Sequence, residues 1–151
     1  MDRKDRQIIR VLQENGRITN QELAERVNLS PSPCLRRVKN LERAEIIKGY
    51  GAQIEPRAYG LAITAFVSIR LERHDDETVR KFEREVARMA EVLDCYVMAG
   101  QVDYQLRVVV EDLNNYEVFV RERLQKIGRL ASIDTRFAFG TVKETAVFPL
   151  L

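Results

Sequence analysis

The chain has 151 residues, of which 45% are hydrophobic and 32% charged, and its net charge is +2. This length allows one domain or two small ones, and the charged content is typical of a water-exposed surface. No apolar run approaches the roughly 18 residues that span a bilayer, and the charged start MDRKDRQ predicts no signal peptide, so a cytoplasmic location and no membrane partner are expected.

Residue types that carry catalysis or bind metals are scarce. The two cysteines, Cys34 and Cys95, lie far apart without CxxC spacing, and His74 is the single histidine. Free, reduced cysteines are therefore expected, and these three residues cannot form a zinc site of the usual spacing. No nucleophile–base pair or phosphate loop is present in the sequence. We expect no catalytic residues, no metal and no cofactor.

The first part of the chain has helical spacing. DRQIIRVLQENG places its apolar residues on one broad stripe and ends at Gly16, which predicts a first helix. In TNQELAERV, Thr19 and Glu22 have the spacing of a capping box, which predicts the start of a second helix. After the short turn NLS, we expect Ser30 to cap a third helix and Pro31 to occupy its first position.

The third helix, in SPSPCLRRVKNLERA, has one polar face. At about 100° per residue, a sector of roughly 100° holds Arg36, Lys39, Asn40 and Arg43. Cations suit phosphates, and Arg or Asn side chains suit base edges in the major groove. The first turn, with Ser30 and Ser32, suits a phosphate. A solvated amphipathic helix has the same pattern, but the preceding helices and a Gly-containing strand pair or wing in IIKGYGAQIEP favour a winged helix-turn-helix that binds DNA.

The segment EPRAYGL, with Pro56 and Gly60, is the predicted linker between two domains, 1–60 and 61–151. Residues 1–60 hold 12 Lys and Arg against 8 Asp and Glu, whereas residues 61–151 hold 13 against 15. This uneven charge is a weak indication of an anionic partner for the first domain.

From Ala62 the apolar period changes to two. AITAFVSIRL predicts a strand, and a helix with acidic residues in its first turn follows it. VLDCYVMA and DYQLRVVV predict two strands joined by a tight turn at Gly100, and another helix begins near Asp112. ASIDTRFAF and TVKETAVF predict a long terminal β run. The order β-α-β-β-α-β is that of a ferredoxin-like domain, so the expected fold class is α+β.

Specific motifs occur in both halves of the chain. The first half contains D-x-x-I-I-x-x-L-Q-x-N-G-R, E-L-A-x-x-V-x-L-S, S-P-x-P-C-L-x-R-V-x-x-L-E and I-I-x-G-Y, and the second half contains G-x-x-D-Y-x-L. In this order they resemble the Lrp/AsnC family of bacterial and archaeal feast/famine regulators, in which G-x-x-D-Y-x-L matches the effector-loop region. The resemblance covers nearly the whole chain and keeps the order of the motifs. It places Cys34 at a helix-packing position.

The resemblance implies a transcriptional regulator with an N-terminal winged helix-turn-helix and a C-terminal ferredoxin-like βαββαβ (RAM/ACT-like) domain that binds an effector and oligomerises. Such proteins form homodimers through their C-terminal sheets, commonly assemble to octamers, often bind free amino acids between subunits, and bend DNA. Double-stranded DNA of a promoter or operator is the expected partner. The candidate DNA-binding residues are Ser30, Ser32, Pro33, Arg36, Arg37, Lys39, Asn40 and Arg43.

The carboxylate of Asp103 stands out in MAGQVDYQL because a small protein would normally bury the surface beside it. Asp103 could accept a charge-assisted hydrogen bond from the ammonium of a bound amino acid. Backbone amides of a concave turn would then hold the carboxylate of that amino acid. An Asp that only bonds local backbone in a turn has the same pattern. The candidate effector-binding residues are Met98, Gly100, Gln101, Val102, Asp103, Tyr104, Thr135 and Phe137.

Two other functions compete with an amino-acid-responsive regulator. An architectural protein that coats and bends DNA, with little effector response, would also present many basic helices. An enzyme on the C-terminal domain is the weakest alternative, because the single His74 lies in the loop RHDDET and is expected to be a surface residue.

Overall fold

The computed structural model describes residues 1–149. Its contacts divide the chain into two compact units, one formed by Met1–Gln53 with the chain end from Val142, the other by Ile54–Thr141. The predicted domains 1–60 and 61–151 meet at one boundary, whereas this division has two, after Gln53 and after Thr141. The predicted linker contributes a one-turn helix to the second unit, and the C-terminal segment belongs to the first.

The first unit contains three helices, and their bounds are α1 (Arg3–Glu14), α2 (Asn20–Arg26) and α3 (Pro31–Arg43). Both α1 and α2 begin with a capping box, and in α2 the Thr19 hydroxyl accepts from the N–H of Glu22 while the Glu22 carboxylate accepts from Thr19, as predicted. The buried core consists of Ile8, Leu23, Ala24, Val27, Cys34, Val38 and Leu41. The apolar stripes of the three helices thus meet in one small core.

Two details of α3 and its surroundings differ from prediction. Ser30 occupies the N-cap position with Pro31 after it, but the Ser30 side chain makes no capping hydrogen bond. The strand pair predicted in residues 46–56 is wrong, since this segment forms no strand and Pro56 begins a short helix. Ile47 packs against the core, but the Ile46 and Ile54 side chains are exposed, so the segment does not bury the face that a strand pair needs.

The chain end contacts α1 through backbone groups. The Gln13 side-chain amide donates to the carbonyl of Ala146 at 2.7 Å, and its oxygen accepts from the N–H of Phe148 at 3.3 Å. Arg10 also donates to the Phe148 carbonyl, at 3.0 Å. The predicted strand in TVKETAVF is therefore absent, because the backbone groups of this segment pair with side chains of a helix rather than with a neighbouring strand.

The second unit begins with α4 (Pro56–Tyr59) and then follows the predicted β-α-β-β-α-β order. Its strands are β1 (Ile63–Leu71), β2 (Val92–Val97), β3 (Tyr104–Val110) and β4 (Leu130–Phe137). Its helices are α5 (Asp76–Val86) and α6 (Leu113–Phe119), and α6 continues through a π-helical turn (Val120–Leu124) into α7 (Gln125–Ile127). None of the helices among residues 1–149 has the length and apolar content to cross a membrane.

The four strands form one antiparallel sheet in the order β2-β3-β1-β4. One face packs on the helices, where alternate residues of β1 are buried together with Phe82, Val86, Phe119 and Leu124. The other face carries Phe66, which lies opposite Arg107 of β3 and Arg136 of β4. The period-two pattern of AITAFVSIRL thus separates a buried face from an open one, as the alternation predicts.

Candidate functional site

The polar face of α3 is exposed as its spacing predicts. The exposed side chains are Ser30, Ser32, Arg36, Lys39, Asn40 and Arg43, while Pro33 is half-buried. Cys34, Val38 and Leu41 are buried on the opposite side, and burial raises the pKa of the Cys34 thiol. This leaves a row of cationic and amide groups directed away from the core of the first unit, and these are the side-chain types that bind phosphates and base edges.

Arg37 is engaged within the first unit. Its guanidinium donates to Asp2 and to Asp5, each at 2.7 Å, and its side chain is 33% exposed. The hydrogen bond from the Asp5 backbone and the Arg37 guanidinium hold the pKa of Asp2 below its usual value. Arg37 therefore fixes α3 to the start of α1, and it does not stand free beside Arg36.

The junction between α2 and α3 is tied by backbone and side-chain hydrogen bonds. Asn28 has a φ of 53°, a left-handed conformation that Asn tolerates well, and it lies in the turn between the helices. The Asn20 side chain donates to the carbonyl of Pro31 at 2.9 Å, which links the first residues of both helices. The turn at Asn28 and the hydrogen bond from Asn20 together fix the angle between α2 and α3.

The loop between β2 and β3 is longer than the predicted tight turn. It comprises residues 98–103, and the N–H of Met98 donates to the carbonyl of Asp103 at 2.9 Å across its base. Gly100 has a φ of 131°, which only glycine adopts without strain. In the part of the chain that the structure describes, the N–H groups of Gly100, Gln101 and Val102 make no hydrogen bond. The loop therefore presents three backbone donors.

Asp103 is anchored at the base of this loop. Its N–H donates to the carbonyl of Ile69 at 2.8 Å, and its Oδ2 accepts from the N–H of Leu71 at 2.7 Å. Its Oδ1 lies 2.9 Å from Nε2 of His74. The Leu71 N–H, together with the His74 contact and the charge of Arg70, holds the pKa of Asp103 below its usual value. The carboxylate is thus ionised and fixed beside the loop donors.

The side chains of three further candidate residues, Tyr104, Thr135 and Phe137, have partners outside the loop. Tyr104 is buried in the core, where its hydroxyl donates to Glu83 at 2.9 Å. Thr135 hydrogen-bonds the hydroxyl of Tyr116, and the Phe137 ring contacts the Tyr116 ring edge-on at 5.0 Å. Thr135 and Phe137 line a cavity of about 500 Å³ at edge strand β4, on the far side of β1 from β3. Within one chain, therefore, they do not join the Asp103 loop.

The contact between His74 and Asp103 was missed by sequence reasoning, which treated His74 only as a surface residue. His74 is indeed exposed, but its partner lies 29 positions further along the chain. No local spacing links the two residues. Only the antiparallel pairing of β1 with β3 brings them together.

A metal site in the described residues would need several ligating side chains close together. Within residues 1–149, no group of three or more His, Cys, Asp or Glu side chains is arranged to hold a metal ion. The structure instead presents a basic helix face in the first unit and a loop with a fixed carboxylate in the second.

Comparison with known proteins assigns both units. Residues 1–48 match the family model described as winged helix-turn-helix DNA-binding, and residues 64–148 match that of the Lrp/AsnC ligand binding domain. A helix-turn-helix followed by a ligand-binding domain defines a DNA-binding transcriptional regulator. The chain belongs to the Lrp/AsnC family.

Similar regulators match along nearly their whole length. The Bkd operon transcriptional regulator of Pseudomonas aeruginosa is 37% identical over 99% of this chain and 98% of its own. The leucine-responsive regulatory protein of Escherichia coli K12 is 36% identical over 96% of this chain and 88% of its own. A solved transcriptional regulator of Neisseria meningitidis in complex with L-methionine has a TM-score of 0.91 and 38% identity, covering 99% of this chain and 96% of that one.

Proposed function

We propose that the DNA binding of this regulator responds to a free α-amino acid held at the loop 98–103. The observation that carries the proposal is the fixed Asp103 carboxylate beside the unpaired N–H groups of Gly100, Gln101 and Val102. An α-amino acid presents an ammonium close to a carboxylate. Asp103 suits the ammonium, and neighbouring amides suit the carboxylate. Met98, exposed at the start of the loop, would contact the side chain.

A homo-oligomer would complete this site. Thr135 and Phe137 line a cavity that lies apart from Asp103 within one chain, so a second subunit is needed if they are to contact the same ligand. Dimers that assemble further, up to an octamer, would create such contacts between subunits and would present several α3 helices to one DNA. A protein that works on promoter DNA acts in the cytoplasm, and its role is regulatory rather than catalytic.

The DNA-contacting surface in this proposal is the exposed face of α3. Arg36, Lys39, Asn40 and Arg43 reach the major groove, and the first turn around Ser32 contacts a phosphate. The L-methionine complex of the Neisseria meningitidis relative supports an amino acid as effector, and L-methionine is the first ligand to test.

The test is Asp103→Ala. A thermal-shift screen with each of the twenty L-amino acids identifies the ligand, because a ligand that binds only the native state raises the apparent stability. Calorimetric titration of that ligand is then expected to show binding to the wild-type protein and none to Asp103→Ala, while dimerisation and ligand-free DNA binding stay intact. Wild-type affinity in the variant would remove Asp103 from the site. No response to any amino acid, with tight DNA binding, would favour an architectural protein.

A further inference from the structure

Asp103 is a rigid acceptor. Its backbone N–H and carbonyl are both used, by Ile69 and Met98, and its Oδ2 is used by the N–H of Leu71. Each of these bonds goes to backbone at the β1 end or at the loop base. Because the carboxylate cannot rotate without losing the Leu71 bond, Oδ1 is the oxygen directed to an incoming cation, and its position is fixed before any ligand binds.

The group that holds Oδ1 in this structure is the imidazole of His74. Nε2 of His74 lies 2.9 Å from Oδ1, and the two side chains are 67% and 27% exposed respectively. His74 lies in the connection between β1 and α5, and its ring makes no other hydrogen bond among residues 1–149. An exposed contact of this kind contributes little stability. The ring can therefore leave Asp103 at small cost.

We propose that His74 occupies the position of the effector ammonium in the ligand-free protein and is displaced when the amino acid binds. This inference rests on the proposed effector function of the Asp103 loop. The imidazole and the ammonium are both N–H donors to the same carboxylate oxygen, so they compete for it. The apparent affinity for the effector equals the intrinsic affinity multiplied by the fraction of molecules in which Oδ1 is free of His74. N-acetylation removes the cationic ammonium, so an N-acetylated amino acid lacks the charged donor that would replace the ring.

The competition predicts tighter effector binding when His74 is removed. We expect His74→Ala to lower the calorimetric Kd of the screened amino acid about two- to tenfold, the range given by one modest hydrogen bond. Arg73→Ala is the matched control, because Arg73 lies in the same connection with 66% exposure but pairs with Asp75 instead. Its Kd should equal that of the wild type. The N-acetylated form of the same amino acid should bind none of these proteins.

A second readout follows the displacement directly. His74 is the single histidine, so its ring C–H resonance is resolved by NMR in the whole protein. Saturation with the amino acid should move this resonance in the wild type towards its position in ligand-free Asp103→Ala, where the ring has lost its acceptor. Melting curves establish that each variant is folded.

The outcomes separate the two proposals. A wild-type or weaker affinity in His74→Ala, or an unmoved resonance at saturation, with binding still abolished by Asp103→Ala, overturns the role of His74 and leaves the effector site standing. Binding that survives Asp103→Ala, or the absence of any amino-acid binding in the wild type, overturns both. Tighter binding with a moved resonance supports both.

Discussion

Two adjacent arginines of α3 have different surroundings. Arg36 is exposed on the polar face, whereas Arg37 donates to Asp2 and Asp5 of the α1 start. We therefore expect Arg36→Ala to weaken operator binding by about 1–3 kcal/mol and to alter site preference if the side chain reads a base. Arg37→Ala should instead lower the melting temperature, because two carboxylates lose their common partner. Fluorescence anisotropy at several salt concentrations and thermal unfolding measure the two effects.

A strong effect of Arg37→Ala on DNA binding would contradict the role assigned to Arg37. If Arg37→Ala reduced DNA affinity as strongly as Arg36→Ala without changing the melting temperature, the Asp2–Arg37–Asp5 contacts would not hold in solution. Arg37 is among the candidate DNA-binding residues that the sequence predicts in α3. Its partners lie more than 30 positions earlier, so no local pattern could show that they take its guanidinium. The His74–Asp103 contact could not be predicted either, because these partners lie 29 positions apart in the chain.

At the scale of elements, the starts of α2 and α3 provide a matched pair. The Thr19 side chain caps α2, whereas Ser30 occupies the same position in α3 without a side-chain cap. Thr19→Ala should lower the free energy of unfolding by about 1 kcal/mol, and Ser30→Ala should lower it by clearly less. Urea unfolding of the full chain, with amide exchange across residues 20–26, measures this. Equal losses in the two variants would mean that Ser30 does cap α3 in solution.

Elements with long periodic patterns were predictable, and those that depend on a partner were not. The alternation in AITAFVSIRL and the apolar stripe of α5 correctly predicted β1 and its neighbouring helix. The strands expected in residues 46–56 and 141–148 are absent, because a strand exists only where another strand accepts its hydrogen bonds. The π-helical turn Val120–Leu124 was also unpredicted, since one extra residue in a turn barely changes the helical period.

For the assembly of the whole molecule, the surface to consider is the open face of the sheet. On this face Phe66 and Tyr96 are 42% and 58% exposed, and they line a shallow depression of about 280 Å³ together with Asp94, Gln105, Leu106 and Arg107. Arg107 and Asp94 form an ion pair there. Two exposed aromatic side chains beside a paired charge suit the aromatic-rich composition of protein interfaces, so we expect this face to be the one through which two copies associate. A dimer formed through this face would carry two α3 helices. The distance between these helices would set the spacing of the operator half-sites.

Dimerisation through the open face can be tested by charge. The double change Phe66→Glu and Tyr96→Glu places unpaired carboxylates where two sheets would meet, and their desolvation should prevent association. Sedimentation velocity is expected to show monomers, and operator affinity should fall because one α3 helix contacts only one half-site.

Val118→Glu is the control: Val118 is 48% exposed on α6, on the helical side of the sheet, so this variant should remain dimeric. A dimeric double variant would place the interface elsewhere. Monomers from Val118→Glu alone would move it to the helices, because the same charge would then act on the opposite side of the sheet.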